Sequence, residues 1–170
     1  WPIWRAKKSV LVLMTGMGRK NMKNRQCHIN ISAPNLVTVC VDQSLGDEMS
    51  GRLYHCYHRE SWPFSNVVQL LRRMEELFDA ISFPQASTKT RQLVEQEPQK
   101  LPALKKVVEQ KELLSYRGEE GTFVTWVRFR QNSEWQGELI WMEEEKKEAF
   151  FSTLDFIKLI SNALSKKKGP

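Results

Sequence analysis

Residues 122–165 read TFVTWVRFRQNSEWQGELIWMEEEKKEAFFSTLDFIKLISNALS, and the fold is decided here. Thr122–Gln131 alternates, as a strand sends successive side chains to opposite faces. Phe123, Thr125, Val127 and Phe129 then share one face, and Val124, Trp126, Arg128 and Arg130 the other. Asn132-Ser133-Glu134 marks a turn and Trp135–Glu143 the return strand. Lys146-Lys147 marks a second tight turn, and Glu148–Phe151 a short third strand. Ser152-Thr153-Leu154-Asp155 is a capping-box start with Asp where Glu or Gln is usual. The helix predicted over Thr153–Ser165 carries Phe156, Ile157, Ile160, Ala163 and Leu164 on one stripe, which suits it to cover the inner sheet face.

The same order is readable upstream. Residues 27–33 (CHINISA) alternate and predict a strand, broken at Pro34-Asn35. Leu36–Asp42 is rich in β-branched residues and predicts a second strand. Ser44–Gly51 supplies the connection, and Arg52–His58 a third strand. Trp62-Pro63-Phe64-Ser65 then stops the sheet and opens a helix from Val67, with apolar positions 67, 70, 71, 74, 77, 78 and 81 on one face. That helix ends before Pro84, because a residue preceding proline is pushed out of the α region.

A shift of 86 residues pairs Val41 with Val127, Gly51 with Gly137, Leu53 with Leu139 and Phe64 with Phe150, and aligns the helix faces without a gap. The expected class is therefore α+β. It is built of two repeated units, each a small antiparallel sheet of two or three strands packed by one C-terminal amphipathic helix. One such unit buries too little to be stable alone, so a pseudo-dimer sharing one core is expected. The predicted organisation is a basic extension (1–21), a first unit (22–82), a linker with a short helix near Ala103–Tyr116 (83–121), a second unit (122–165) and a basic tail (166–170).

Charge narrows the function classes. The chain carries a formal +6. Residues 1–21 and 166–170 hold eight Lys and Arg and no acid; taking those from the 26 leaves 18 against 20 acids, a net of −2 for the rest. A near-neutral body undercuts a phosphate-tracking surface. No apolar run approaches the ~20 residues of a membrane helix, so no membrane role is expected. Val10–Met14 is too short for a secretory leader, and three cysteines do not make a disulfide framework, so a reducing, cytoplasmic setting is expected. Gly16, Gly18 and Lys20 lack phosphate-loop spacing.

The chemistry candidates are few. His55 and His58 fall on opposite faces of a strand and do not share one tetrahedral ion. Cys56 and His58 share a face, and Cys40 on the neighbouring strand is the third residue nearest to a ligand set; buried thiols and edge histidines account for them better, so no metal site is expected. Glu143-Glu144-Glu145 is a charge run at a turn, unlike a carboxylate pair held across a cleft. No catalytic residue and no cofactor is assigned. The suggestive group is Trp126, Arg128 and Arg130 on the outer face, with Trp141 or Ile140 alongside on the return strand. Three readings fit an aromatic with arginines: a face covered within the molecule, its arginine heads paired to Glu138 or Glu143; a protein interface; or the stacking and phosphate contacts of a single-strand reader.

The motif Phe129-Arg130-Gln131-Asn132, Trp135-Gln136-Gly137, then Phe151-x-x-Leu154 entering the last helix resembles a small uncharacterised bacterial domain family. Residues 29–64 resemble a second such family. The resemblance covers roughly 28–165 and implies a cytoplasmic bacterial protein, without an activity. At the level of architecture alone, sheet-plus-helix units are similar to integrase arm-binding domains and some RNA-binding modules. The expected function is a non-enzymatic interaction module or accessory subunit, docking a protein partner or a second copy through an outer sheet face or edge. The alternative is a single-stranded nucleic-acid binder using Trp126, Arg128, Arg130 and the basic termini.

Overall fold

The computed structural model describes residues 29–30, 32–46, 48–86, 104–131, 134–167 and 169. The 1–21 extension, Cys27 and His28, residues 87–103 of the linker, the Asn132-Ser133 turn and Lys168 and Pro170 of the tail lie outside them.

The fold is α+β, with one antiparallel six-stranded sheet and two helices. The strands are β1 (Val37–Leu45), β2 (Glu48–His55), β3 (Trp62–Phe64), β4 (Gly121–Gln131), β5 (Glu134–Trp141) and β6 (Lys146–Phe150). Helix α1 (Val67–Ala80) follows β3 and α2 (Thr153–Lys167) follows β6. The order across the sheet is β3-β2-β1-β4-β5-β6. Two separate small sheets were expected. Instead β1 and β4 pair with each other, and the strands of both halves run on as one sheet.

Pairing repeats at the 86-residue offset. Val37 pairs with His55 and Phe123 with Trp141; Val41 pairs with Gly51 and Val127 with Gly137. Each hairpin has its bulge at the same place, between Val41 and Gln43 and between Val127 and Phe129. Gly51 faces Phe64 as Gly137 faces Phe150. The helix starts agree too. Asn66 accepts from the Gln69 amide at 2.8 Å, and Ser152 from the Asp155 amide at 3.0 Å, so each helix has its first-turn donors capped.

Both helices lie on one face. Leu70, Met74 and Phe78 of α1 and Phe156, Ile160 and Leu164 of α2 close over Val39, Phe123 and Leu139. The helices also tie the halves together: Trp135 of β5 meets Phe78 of α1 and Phe156 of α2 edge-on, at 5.4 and 5.8 Å between ring centres.

The other face is covered along its centre by chain outside the sheet. Leu36 and Leu113 bury Val124, Trp126 and Ile140. Thr38 donates to the Leu113 carbonyl at 2.8 Å, Gln110 reaches the Ala33 carbonyl at 2.5 Å, and Tyr116 stacks on Tyr54.

Four local expectations are corrected. In 27–33, the described residues form a turn before β1, not a strand. Trp62–Phe64 is itself an edge strand, and β2 stops at His55. Lys146-Lys147 lies within β6, and the turn falls at residues 142–145 with Glu145 at φ 50°. The helix expected near 103–116 reduces to a 3₁₀ turn at Glu112–Ser115. The amides of Val107 and Val108 instead bond the Cys56 carbonyl, so they serve the sheet's end rather than a helical ladder.

Candidate functional site at the sheet edge

The four surface residues named from the sequence do not share a surface. Trp126 is on the outer face as expected, but it is 2% exposed beneath the covering segments. Arg128 is exposed and pairs with Glu138, which also holds Lys147 at 2.6 Å; that ammonium stands 5.2 Å from the Trp126 ring centre. The expected placement of Arg130 beside them is corrected by the β4 bulge. A bulge inserts one residue and so reverses the alternation beyond it. Arg130 turns to the helix face, 5% exposed, and bonds Glu75 and Asp79 at 2.7 Å and the Pro84 carbonyl at 2.9 Å. Trp141 is also on the helix face, opposite Phe123 in register, while Ile140 takes the place beside Trp126.

Cys40 and Cys56 are buried free thiols, and burial pushes Cys40 up to about 11 and Cys56 above its ordinary value. His58 is exposed at the turn after β2, its ring nitrogen 3.1 Å from the Glu60 carbonyl. Among the described residues, no group of three His, Cys, Asp or Glu stands close enough to hold a metal ion.

A different site emerges where Trp141 does lie. Helix α2 and the edge strand β6 leave a pocket of about 230 Å³ between them. Its floor is Phe123, Leu139 and Trp141, its helix wall Leu159 and Ala163. Phe123 and Trp141 lie nearly parallel, with ring centres 6.5 Å apart. Lys146, Glu148, Asn162 and Lys166 form the rim. Each rim lysine has an acidic partner: Lys146 with Glu148 at 3.4 Å, and Lys166 with Glu144 at 3.2 Å. The Lys166 ammonium also stands 5.7 Å from the Trp141 ring centre. Trp141 is 8% exposed and its indole N–H is buried without an acceptor.

The corresponding place in the first half is filled. Offset by 86, Glu148 corresponds to Trp62, Trp141 to His55 and Leu159 to Arg73. Trp62 pairs with Leu53 as Glu148 pairs with Leu139. Its ring lies against His55, 4.3 Å between centres and edge-on, and the Arg73 guanidinium stands 5.8 Å from it. Burial pushes His55 down to about 4, with His58 adding a smaller effect of the same sign. One half thus carries its own aromatic plug, and the other leaves the space open.

The sequence held part of this. Pairing Trp126 with Glu138 sets Glu138, Ile140 and Met142 on the outer face and Leu139 and Trp141 on the inner one. The pocket itself needed the Trp62–Glu148 comparison, which becomes visible only once Trp62–Phe64 is known to be a strand.

Among the described residues no helix is long and apolar enough to cross a membrane. No protein-family model matches the chain, and no curated protein or solved structure matches it either.

Proposed function

We propose that the chain is a non-enzymatic interaction module, an accessory subunit of a cytoplasmic bacterial complex, and that it docks an extended segment of a protein partner along β6 and the groove beside it. One observation carries this reading. Among the described residues β6 is an outer strand with a neighbour on one side only, and beside it lies an open apolar groove whose counterpart is closed by Trp62. An unpaired strand edge adds main-chain hydrogen bonds to an extended peptide, and adjoining pockets choose its side chains. The exposed Lys146, Lys147 and Glu148 on this edge oppose indiscriminate strand pairing. Phe151 and Leu154, 70% and 57% exposed where β6 passes into α2, extend the apolar surface.

The same reading includes the fold's history: two copies of one β-β-β-α unit joined as a pseudo-dimer. Its support is the register. Thr38 pairs with Val124, its own counterpart, and Val37↔Thr125 and Val39↔Phe123 exchange under the offset, as a local two-fold axis through that pair requires. Duplication gives two equivalent grooves beside the outer strands β3 and β6; Trp62 fills the first, and the second is left for a partner.

The test pans a random-peptide display library against the full chain, then follows backbone amides by NMR as enriched peptides are added. The expected result is saturable shifts centred on Lys146–Phe150, nearly insensitive to salt. Shifts confined to other surfaces, or no enriched peptide, overturn the reading. Single-stranded RNA and DNA are titrated in parallel; binding that falls steeply with salt there would replace it with the nucleic-acid alternative.

A further inference from the structure

The pocket between α2 and β6 is small, mostly apolar and specific in shape. Its 230 Å³ lies below the ~300 Å³ at which ordinary small-molecule sites begin. It has room for a ring, not for a nucleotide or a large cofactor. The rim lysines are matched by Glu148 and Glu144, so nothing there selects a charged group. The floor presents the near-parallel Phe123 and Trp141 rings. The first half supplies a template for the occupant: the Trp62 ring, edge-on to His55 and beneath the Arg73 guanidinium. In the second half Trp141 stands at the position of His55.

We infer that this pocket is an anchor site for one uncharged aromatic side chain of the docked segment. The ring takes the place that Trp62 holds in the first half, between the Phe123 and Trp141 rings of the floor and the Leu159 and Ala163 wall. The inference rests on the proposed docking of an extended segment and names its anchor. Buried aromatic anchors in closed pockets carry most of the energy of many interfaces, with surrounding contacts near neutral. Here an aromatic anchor fills the space and stacks against Phe123 and Trp141.

The test uses the full chain and a defined probe, N-acetyl-tryptophanamide, which carries an indole and carbonyl acceptors. N-acetyl-leucinamide is the control. The readout is the Trp141 indole N–H resonance, assigned by its loss in Trp141→Phe. The expected result is a saturable shift with half-saturation on the order of 1 mM, as befits a fragment of this size, and at least fivefold weaker binding of the leucine probe. Glu148→Trp reproduces the first half's plug and should abolish the saturable shift while the protein stays folded. If that variant does not fold, Ala163→Leu fills the pocket from the helix side and should do the same. Trp141→Ala, followed on the Leu159 methyls, should weaken the probe several-fold because it removes one of the two floor rings.

Equal binding of both probes, or unchanged binding in a folded Glu148→Trp or Ala163→Leu protein, overturns the anchor. The two readings fail separately. Peptides that shift the β6 amides but lack an aromatic, and still bind Glu148→Trp, leave edge docking standing without this anchor. If neither the amides nor the indole moves, both are lost.

Discussion

Replacing Arg130 tests whether the two halves form one cooperative body. Arg130 comes from β4, and its guanidinium is held by Glu75 and Asp79 of α1, the helix of the other half. The Arg130 side chain is 6% exposed, while those of Glu75 and Asp79 are 43% and 60% exposed. Glu75 also accepts from the Trp135 indole, and the Pro84 carbonyl accepts from Arg130 Nε. Arg130→Met keeps most of the volume and removes the charge. Breaking a fully buried ion pair costs about 3–5 kcal/mol. Here the two carboxylates left behind regain water, so that figure is an upper bound. What stays unpaired is the buried Pro84 carbonyl, about 1–3 kcal/mol. The expected loss is therefore about 2 kcal/mol, a fall in melting temperature of roughly 4–8 °C for a chain of this size. Asp79→Asn should cost under about 1 kcal/mol, because that carboxylate is mostly in water. Urea unfolding, followed by tryptophan fluorescence and circular dichroism together, measures both. Wild type should unfold in one transition with coincident probes. A loss below about 0.5 kcal/mol in Arg130→Met, an equal loss in Asp79→Asn, or separate transitions for the two halves would refute the reasoning.

Two further outcomes are expected. His55 is held near 4 by burial while its unfolded value is 6.5, so the unfolded state binds the extra proton first; stability should fall as pH drops from about 6.5 to 4, by about 3 kcal/mol in all, and His55→Gln should flatten that slope in pH-dependent urea titrations. The window is separable from the Asp42 carboxyl, which the Arg52 hydrogen bond holds below its ordinary 3.8 and which acts only at lower pH. Gly51→Ala and Gly137→Ala should each destabilise by more than a typical surface substitution, since the new Cβ would meet backbone oxygens of Cys40 and Trp126 at 2.0 and 2.3 Å; unchanged midpoints in both would show that the hairpins relax freely.

The long periodic elements were legible because burial enforces their period. Apolar positions 67 to 81 and 156 to 164 gave both helices, and the capping residues Asn66 and Ser152 do what their types predict. Alternation gave β4 up to Val127 and failed just beyond, where a bulge reverses the faces. Nothing in the residues Val127-Arg128-Phe129 marks that bulge, since its cause is the closing geometry of the hairpin. β3 was missed because three residues, one of them proline, cannot show a period. The apolar spacing of 104–116 predicts a helix; Val108, Leu113 and Leu114 do pack on the outer sheet face, whereas Leu104 and Val107 are exposed. Periodicity reported the burial only in part and the backbone wrongly, because the Val107 and Val108 amides bond the Cys56 carbonyl.

The offset between the halves is also the best guide to function. Positions that must agree for the sheet to close do agree: the bulges, the glycines opposite Phe64 and Phe150, and the helix caps. Framework positions are constrained by backbone geometry, so they carry little information about a partner. The informative positions are those where the halves part. Ser44 corresponds to Arg130, whose guanidinium bonds Glu75 and Asp79 on the helix of the other half. Trp62 corresponds to Glu148, and only Trp62 fills the groove beside its edge strand. A large aromatic on one edge and a carboxylate on the other is a choice that packing alone opposes, because burying a ring of this size would stabilise either half. Among the described residues the two halves differ in packing at this place, so the groove between α2 and β6 is where the proposed partner is to be sought first.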